Sequence, residues 1–506
     1  MTKPTWYAMM KIQIVHDARY VDSIQQKNER DEIMTPKALT TVLATLAILA
    51  ASFILSLVVS RRGKKTSTGD ATDDWNIGGR SLPLFVVIGT QFASAMGGGV
   101  LVGQVGNAYN NGLAMLIYSF FAVLPFLIFM LIGNWIRANE FETIPDMLGS
   151  FCGNDLFVRI LSSVLTILVP FGWLINQLTA FAKIYREITG IPLEILIVSM
   201  AVISILFVMP AGMKTVAWTD FSFACFMILI MVVTFVFVAK NGGSLAEVKA
   251  ALPEEIIGFP KGFVSVGWTT IFLWIFSTVP GGMTNQMYFQ RICAIKEKKQ
   301  INKSLAITCI VTLIALGWSC FLGMGIRAMN PNIEGENATG WLLTQLPVWL
   351  IALFAGLIVA TIMSTISSAA QSVVVNITHD IYQQLHPEVS SQKALKLSRL
   401  LSVLVMAVAC VLAILFPHVL TVLVTTYAYS AAGLAAPMYL GYALRKKNKV
   451  TTMGLRASMI CGILGCILST LLKSTIPYVI WGILASVVAL FLVSALTKGS
   501  AKALEK

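Results

Sequence analysis

AlaSerAlaMetGlyGlyGly, at residues 93 to 99, interrupts an apolar stretch with three consecutive glycines. Two other apolar stretches are interrupted by ThrValProGlyGlyMetThrAsnGln at 278 to 286 and by ThrIleMetSerThrIleSerSer at 361 to 368. The first two place helix-breaking residues in mid-span, and the third places hydroxyl groups along a helix. Non-helical backbone inside a bilayer is tolerated only where it is buried in protein or lines a cavity. The stretches therefore predict a transporter with an ion or solute site near the middle of the membrane.

The composition excludes an ordinary soluble protein. Of the 506 residues, 57% are apolar and only 12% are charged, and the mean hydropathy is +0.78. A soluble chain of this length needs more polar surface. Runs of roughly 20 apolar residues, long enough to cross a bilayer, occur about thirteen times. We therefore expect an all-α polytopic membrane protein with about thirteen transmembrane helices.

The basic residues predict the orientation. With the N-terminal tail left aside, lysine and arginine number about 24 on one face and about 7 on the other, and the richer face is expected to be cytoplasmic. This places the N-terminus outside and the C-terminus inside a cell (plasma) membrane. The net charge of +13 follows from this asymmetry, without the interleaved aromatic residues that a nucleic-acid surface requires.

Residues 1–37 form a polar N-terminal segment that differs from the rest of the chain. It has no apolar core or cleavage site of a signal peptide. Two interpretations remain open: a disordered outer tail, or a start codon assigned too early, with Met34 as the true first residue. Whether residues 1–33 exist in the native protein is therefore left open.

No catalytic machinery is visible, so an enzyme is not expected. The four histidines lie in the N-terminal segment or near the ends of predicted spans, and they form no Ser/His/Asp or Cys/His arrangement. The glycines at 97 to 99 lack the lysine of a phosphate-binding loop. Sequence reasoning therefore names no catalytic residue.

The third stretch concentrates hydroxyl groups on one side of a helix. At ~100° per residue, four of them share a narrow face and a fifth borders it. The four are Thr361, Ser364, Thr365 and Ser368, and the fifth is Ser367.

These hydroxyls suit a sodium ion, which takes about five or six hard oxygen ligands. Two hydroxyls, a backbone carbonyl freed at Thr361, and two carbonyls freed by the break near Ala93 and Met96 would supply them. The alternatives are that the hydroxyls bond to their own helix or that small residues permit close helix packing. The chemistry of these residues alone does not decide between a sodium site and the two alternatives.

Asp220 favours the ion site. It lies in TrpThrAsp, about one turn inside a predicted span, where a carboxylate is expensive without a partner or a water path. It is either an interfacial aspartate solvated among lipid head groups or a ligand for a second cation, shared with hydroxyls of residues 364 to 368.

Five motifs in order make the chain resemble the sodium:solute symporter family, which includes the sodium-coupled proline, glucose, iodide and pantothenate carriers. The resemblance covers nearly everything after residue 37. The motifs are IleGlyGlyArgSerLeu at 77 to 82, ThrIleProAspMet at 143 to 147, TrpThrAsp at 218 to 220, ThrAsnGlnMetTyrPheGlnArg at 284 to 291 and AlaThrIleMetSerThr at 360 to 365.

The resemblance implies a leucine-transporter-type core of two inverted repeats of five helices, with one helix before the core and two after it. Residues 38–506 would form a single transport domain. Within it, residues 83–239 would be the first repeat, 263–444 the second and 453–497 the two peripheral helices.

The resemblance also implies two sodium sites, and hence two sodium ions per cycle. The first would use the carbonyls of Ala93, Met96 and Thr361 and the hydroxyls of Ser364 and Thr365. The second would use Asp220, Ser364, Ser367 and Ser368. Where the proline carriers have an aspartate, this chain has Ala95, which leaves the affinity of the first site open.

By the same resemblance, the solute binds between the two broken helices. Because no lysine or arginine was expected deep in these helices, a neutral or zwitterionic solute is favoured. The sugar carriers' aromatic pair before ThrAsnGln is GlyMet here, which argues against a sugar. The pocket residues would be Gly97, Gly98, Val100, Ser119, Trp173, Gln177, Trp274, Thr278, Asn285 and Tyr427.

The resulting prediction is a secondary active transporter that brings a small organic solute into the cell with co-transported sodium, by alternating access. Its expected partners are the solute and the lipid bilayer, with no nucleic acid and no obligate protein partner. A proton-coupled carrier of the same fold, with Asp220 as proton acceptor, and a membrane solute sensor remain alternatives. The identity of the solute, the stoichiometry and the oligomeric state are not predicted.

Overall fold

A computed structural model of the chain describes residues 35–66, 71–209, 212–241, 245–447 and 449–501. Nearly all of these residues are helical. The expectations for residues 1–34 lie outside the described residues. The first helix begins at Pro36, so Pro36 and Lys37 belong to it rather than to the predicted tail.

Twenty α-helices follow one another along the described chain. Their bounds are α1 Pro36–Thr66, α2 Ala71–Ile77, α3 Leu84–Ala95, α4 Gly99–Asn111, α5 Ala114–Ala138, α6 Ile144–Gly149, α7 Leu156–Thr189, α8 Leu193–Val208, α9 Met213–Asn241, α10 Leu245–Ala251, α11 Glu254–Ile257, α12 Trp268–Met283, α13 Gln286–Ala294, α14 Ile301–Met329, α15 Ala338–Gln345, α16 Val348–Leu385, α17 Ser391–Leu415, α18 Val419–Leu444, α19 Thr452–Leu471 and α20 Tyr478–Ala501.

The helices account for the predicted membrane crossings. Within the described residues, ten are long and apolar enough to cross a bilayer, and the bent pair α3 and α4 makes one further span. The two remaining predicted crossings are α8 and the pair α12 and α13; α8 and α12 have 16 residues each. Large apolar side chains such as Leu131 and Leu496 are about three-quarters exposed on the outside, as expected for a chain solvated by lipid.

The first break separates α3 from α4 at a bend of 50°. Met96 leaves helical geometry, with φ −97° and ψ 61°. A Cβ atom on Gly97 would lie 2.5 Å from the Gln177 Nε2 atom, and one on Gly98 would lie 2.6 Å from the Ala180 Cβ atom. The glycines are therefore required because α7 passes directly against the broken backbone.

The second break separates α12 from α13 at Thr284 and Asn285. A Cβ atom on Gly282 would lie 2.4 Å from the Pro125 ring, so α5 presses against the end of α12. Asn285 then caps α13, since its Oδ1 atom accepts a hydrogen bond from the Met287 backbone N–H at 3.0 Å. The chain thus restarts as a helix inside the protein.

Helix α16 lies at the centre of the helix bundle. It runs without a break for 38 residues, about 57 Å at 1.5 Å per residue, well beyond a ~30 Å bilayer core. Most of its side chains are buried, and it packs against α1, α3, α7 and α9. The hydroxyl-rich stretch therefore faces protein rather than lipid.

Candidate cation and solute sites

The end of α3 meets the middle of α16 through three buried residues. The Ser364 Oγ atom lies 3.2 Å from the Ala93 carbonyl oxygen, and the Thr365 Oγ1 atom lies 3.4 Å from the same oxygen. These residues are more than 270 positions apart in the chain. The structure therefore brings together the two stretches that the sequence had paired.

The same two hydroxyls also face a carbonyl of their own helix. The Thr361 carbonyl oxygen lies 3.1 Å from Ser364 Oγ and 3.0 Å from Thr365 Oγ1. Two hydroxyls thus lie between two carbonyl oxygens, and Met96 lies buried three residues beyond Ala93, where α3 ends. Four neutral oxygen atoms converge at this point, which we call the neutral site.

Asp220 is fully buried on α9. Its Oδ2 atom accepts hydrogen bonds from Thr90 Oγ1 at 2.6 Å and from Ser368 Oγ at 2.9 Å. Its Oδ1 atom has no hydrogen-bond partner among the described residues. The interpretation of Asp220 as an interfacial aspartate solvated at the head groups is therefore wrong, because α9, α3 and α16 enclose it.

Arg291 on α13 is the residue that sequence reasoning missed at this place. It is fully buried, and its Nη2 atom lies 3.5 Å from Asp220 Oδ2. Its Nε atom donates to Thr90 Oγ1 at 3.1 Å, its Nη1 atom donates to the Met287 carbonyl at 2.6 Å, and its Nη2 atom donates to Ser368 Oγ. We call Asp220, Arg291, Thr90 and Ser368 the charged site.

The expectation that no lysine or arginine lies deep in the solute-binding helices is wrong. The sequence pattern places Arg291 among the basic residues of a cytoplasmic loop, because Lys296, Lys298 and Lys299 follow it closely. The broken helix carries it inward instead, and Asp220 compensates its charge. The signal in the sequence was Asp220, because a carboxylate inside a predicted span needs a partner, and a basic residue of another helix is one candidate.

The other two predicted ligands of the second site are Ser364 and Ser367, and Ser364 belongs to the neutral site. Ser367 is buried, but its hydroxyl donates to the Ser364 carbonyl of its own helix at 3.0 Å. No hydrogen bond among the described residues joins it to Asp220. Ser94 Oγ, in contrast, donates to Ser368 Oγ at 2.9 Å and connects α3 to the charged site.

A cavity of about 40 Å³ lies beside the first break. Among the residues that the structure describes, no charged side chain lines it. Four of the predicted pocket residues, Val100, Trp173, Thr278 and Tyr427, line the cavity, and the Trp173 Nε1 atom donates to the Tyr427 hydroxyl at 3.1 Å.

Three predicted pocket residues lie at the break itself. The Gly98 backbone N–H donates to Gln177 Oε1, and Gln177 Nε2 faces Gly97 without a hydrogen-bond partner. The Asn285 Nδ2 atom on the other broken helix is also buried without a partner. These amide groups are donors available to a ligand.

Two predicted pocket residues, Ser119 and Trp274, lie behind the cavity wall. Ser119 Oγ accepts a hydrogen bond from Gln104 Nε2, and the Trp274 ring packs edge-on against Tyr118, with ring centroids 5.3 Å apart. The lining residues Gln104 and Tyr118 were not predicted. Tyr288 and Thr312 also line the cavity, although Tyr288 stands inside the quoted 284 to 291 motif.

A polar cluster surrounds Arg159 at the start of α7, outside the described lining of the cavity. Its Nη2 atom lies 3.1 Å from Asp146 Oδ1 and 3.4 Å from Asp380 Oδ1. Thr143 Oγ1 also donates to Asp380 Oδ1, at 2.8 Å. This cluster joins α6 and its N-cap residue Thr143 to the start of α7 and the end of α16.

Glu142 lies at the same end, between α5 and α6. Its Oε2 atom accepts a hydrogen bond from Asn76 Nδ2 at 2.8 Å. Burial raises the pKa of Glu142 to about 8, and the nearby carboxyl group of Asp73 adds to the increase. The side chain is therefore mostly protonated at neutral pH.

Other ionic and polar contacts lie toward the opposite end of α7. Lys183 on α7 pairs with Glu336, and Arg327 on α14 donates hydrogen bonds to the carbonyls of Tyr109 and Asn110 at 2.8 and 2.9 Å. Ionic and polar contacts therefore lie on both sides of the cavity.

Comparison with known proteins then decides the family. The sodium:solute symporter family model matches residues 75–462. The chain belongs to the sodium:solute symporter family. The predicted resemblance is confirmed, and the protein is a multi-pass membrane protein of a transporter family.

Curated relatives include sodium/proline symporters. That of Salmonella typhimurium is 24% identical over 308 residues, which are 58% of this chain and 60% of the relative. That of Escherichia coli is 25% identical over 336 residues, which are 63% of this chain and 65% of the relative. The matches thus span a little less than two-thirds of the length of these relatives.

Solved structures confirm the predicted leucine-transporter-type fold. A Na⁺-coupled sialic acid symporter, in a substrate-bound outward-open state, has a TM-score of 0.77 at 18% identity; the match covers 90% of this chain and 97% of that chain. Mhp1, a nucleobase-cation-symport-1 family transporter in a closed conformation, has a TM-score of 0.55 at 13% identity, covering 84% and 95%. At such identities, these likenesses show the fold alone.

Proposed function

We propose that the protein is a secondary active transporter that couples the movement of sodium to the uptake of a small, neutral or zwitterionic organic solute. The observation that carries the proposal is the contact of the Ser364 and Thr365 hydroxyls with the Ala93 carbonyl. This contact links the end of the broken helix α3 to α16 through oxygen atoms alone. Membership of the family supports sodium as the co-transported ion.

The first sodium ion binds at the neutral site. Its ligands are the carbonyls of Ala93, Met96 and Thr361 and the hydroxyls of Ser364 and Thr365. Five hard oxygens meet the requirement of an alkali cation, and each hydroxyl can turn its hydrogen away and offer a lone pair. Sodium replaces hydrogen bonds that otherwise link α3 to α16, so its binding fixes the angle between these helices.

The second sodium ion binds at Asp220, with hydroxyls of Ser367 and Ser368. The Oδ1 atom of Asp220 supports this assignment, since it is buried and unpartnered while Oδ2 already accepts several donors. Arg291 weakens the site because the guanidinium repels a neighbouring cation. We therefore expect a lower sodium affinity here than at the neutral site.

The solute binds in the cavity beside the first break. It contacts the ten predicted pocket residues, some of which move when the cavity enlarges. The cavity of about 40 Å³ must enlarge to admit an amino-acid-sized solute. Amide donors of Gln177 and Asn285 suit a carbonyl or carboxylate oxygen, and the aromatic walls suit an apolar group. The lack of a cationic side chain in the lining supports a solute without net negative charge.

Transport proceeds by alternating access. The contacts around Arg159 and those around Lys183 open in turn, while sodium and solute occupy the middle of the bundle. At about 100 mV, each inward charge contributes ~2.3 kcal/mol, so two sodium ions favour uptake by more than about a thousandfold before any gradient is counted. The chain acts as a carrier without catalysis, nucleic acid or an obligate protein partner.

The chain divides into a first repeat at 83–239, a second at 263–444 and peripheral helices at 453–497. Each proposed repeat begins with a broken helix, which supports the division. The basic loops support a cell membrane location with the N-terminus outside and the C-terminus cytoplasmic.

Uptake by purified protein in liposomes tests the function. Labelled proline is the first solute, because the curated relatives are sodium/proline symporters, followed by other neutral and zwitterionic amino acids. We expect uptake that requires an inward sodium gradient and stops when potassium replaces sodium. Uptake that ignores sodium and follows a proton gradient would instead indicate the proton-coupled carrier.

A further inference from the structure

The guanidinium of Arg291 already bonds to the oxygen atoms from which the second sodium site would be built. Its Nη2 atom lies 3.5 Å from Asp220 Oδ2 and donates to Ser368 Oγ. Its Nε atom donates to Thr90 Oγ1 at 3.1 Å. All four side chains are fully buried. One cation, the guanidinium, therefore lies beside Asp220 in this structure.

The Ser368 hydroxyl has no free lone pair for a sodium ion while Arg291 is in place. A hydroxyl group donates one hydrogen bond and accepts two. Ser368 Oγ donates to Asp220 Oδ2 at 2.9 Å. It accepts hydrogen bonds from Ser94 Oγ, at 2.9 Å, and from Arg291 Nη2. Sodium can therefore gain Ser368 as a ligand only when one of these two donors leaves.

The carboxylate of Asp220 is partly used in the same way. Its Oδ2 atom accepts from Thr90 and Ser368 and faces Arg291, and only its Oδ1 atom has no partner among the described residues. Sodium takes about five or six oxygen ligands, which one free atom does not approach. A second cation beside one buried carboxylate would also be repelled by the guanidinium. Arg291 and sodium therefore exclude each other at Asp220.

Arg291 belongs to a short helix that also borders the solute cavity. Helix α13 has nine residues and begins directly after the second break. Tyr288 lines the cavity, and residues three positions apart, such as Tyr288 and Arg291, are neighbours on a helix surface. The Arg291 Nη1 atom donates to the Met287 carbonyl of the same helix at 2.6 Å. The guanidinium is thus tied to α13 and moves with it.

We propose that Arg291 is a tethered competitor of the second sodium ion. It neutralises Asp220 while α13 packs against α3 and α16, and the ion takes its place when α13 withdraws. The break before α13 provides the hinge for this movement. Because the solute cavity must enlarge beside Tyr288, solute entry displaces α13, and the second ion follows the solute. This last step rests on the proposed function.

The test determines how many sodium ions the full chain binds in detergent without solute. Unfolding temperatures are measured as sodium replaces N-methylglucamine at constant ionic strength. Above half-saturation, the increase with the logarithm of sodium concentration is proportional to the number of bound ions. The wild type should show a one-ion slope, from the neutral site. Arg291→Gln should show about twice that slope, because Asp220 then binds the second ion.

Two further variants are the controls. Asp220→Asn combined with Arg291→Gln also removes the carboxylate, so its slope should return to one ion. Arg456→Gln breaks an arginine–aspartate pair with Asp155 that lies outside both sites, and it should keep the wild-type slope. A two-ion slope in the wild type without solute, or equal slopes in the wild type and Arg291→Gln, would overturn the proposal.

The stability of Arg291→Gln provides a second check. This variant is purified in sodium, which should replace the missing counter-charge of Asp220. If it fails to fold in sodium while the double variant folds, Asp220 does not accept the ion and the proposal is wrong. The wild-type slope tests the proposal even when neither variant folds.

A last series adds a saturating concentration of the amino acid that shows the strongest sodium-dependent uptake in liposomes, beginning with proline. The solute should raise the wild-type slope to two ions and leave the Arg291→Gln slope unchanged. A wild-type slope that stays at one ion in the presence of a transported solute would overturn the link through α13. A lack of any sodium dependence, in both binding and uptake, would instead contradict the proposed function.

Discussion

The neutral site and the charged site both use residues of helix α16. They differ in whether charged side chains take part. At the neutral site, Ser364 and Thr365 meet the Ala93 carbonyl, and no ionised group takes part. At the charged site, Asp220 already contacts Arg291. A site made of neutral oxygens can lose a cation without leaving a buried charge. The charged site contributes to the stability of the fold even when no sodium is bound.

The largest expected effect tests the ion pair. Asp220→Asn leaves the Arg291 guanidinium buried without its counter-charge, which should reduce the free energy of unfolding by about 3–5 kcal/mol. Thermal unfolding in detergent measures the loss. The sodium dependence of solute binding should also lose its second ion, so that its Hill coefficient falls toward one.

The double variant Asp220→Asn with Arg291→Gln is the control for this prediction. It removes both charges, so it should recover more than half of the stability lost in the single variant. A single variant as stable as the wild type would contradict the ion pair. A Hill coefficient still near two in Asp220→Asn would contradict the second sodium site.

The next largest effect concerns the neutral site. Ser364→Ala and Thr365→Ala each remove one oxygen ligand, and we expect sodium affinity to fall about tenfold or more in each. Stability without sodium should change little, because no charge is left uncompensated. Sodium-dependent solute binding measures the affinity.

Ser222→Ala is the matched control for the hydroxyl ligands. Ser222 is exposed on α9, and its hydroxyl bonds only to its own helix, at the Trp218 carbonyl. Its removal should leave sodium affinity unchanged. Wild-type sodium affinity in both neutral-site variants would show that Ala93 and α16 do not hold the ion.

Glu142 extends the comparison to a buried carboxyl group whose pKa is raised mainly by burial and whose Oε2 atom accepts a hydrogen bond from Asn76. Because its pKa is raised from 4.5 to about 8, the folded chain keeps a proton that the unfolded chain loses between these values. Stability should therefore fall as the pH rises through this window, by at most about 1.4 kcal/mol per pH unit.

Glu142→Gln should remove this part of the pH dependence, because glutamine does not titrate. Unfolding temperatures at several pH values between about 5 and 8 measure the slope. The exposed neighbour Glu140 provides the control, and Glu140→Gln should keep the wild-type slope. An unchanged slope in Glu142→Gln would assign the pH dependence to other groups.

The smallest expected effect separates the two sites on one helix. Ser368→Ala removes one hydrogen bond to Asp220, which keeps Thr90 and Arg291, so stability should fall by only about 1 kcal/mol. The affinity of the neutral site should stay at the wild-type value. A tenfold loss there would mean that the two sites act as one.

Much of the fold was predictable because its signals are local. Apolar runs predicted the crossings, and the glycines at 97 to 99 predicted the first break, where α7 approaches the backbone too closely for a side chain. The candidate neutral site was predictable from hydroxyl spacing on α16 combined with the family resemblance. Its oxygens come from two stretches, each of which carries its own pattern.

The charged site and much of the cavity lining were not predictable in the same way. Arg291 follows a helix break and precedes several loop lysines, so its sequence context is that of a cytoplasmic loop. Gln104, Tyr118 and Thr312 line the cavity, but they belong to different helices whose rotation no local pattern defines. Burial of such residues depends on the arrangement of neighbouring helices.

By itself, the sequence determined that the chain crosses a membrane many times, where its helices break and which helix face carries hydroxyls. These properties follow from hydropathy, backbone conformational preference and helical periodicity, which act over a few residues. Only the tertiary structure decided that Asp220 pairs with Arg291. A charge contact between residues 71 positions apart depends on how three helices pack, because the interaction energy is set by distance and burial rather than by sequence separation.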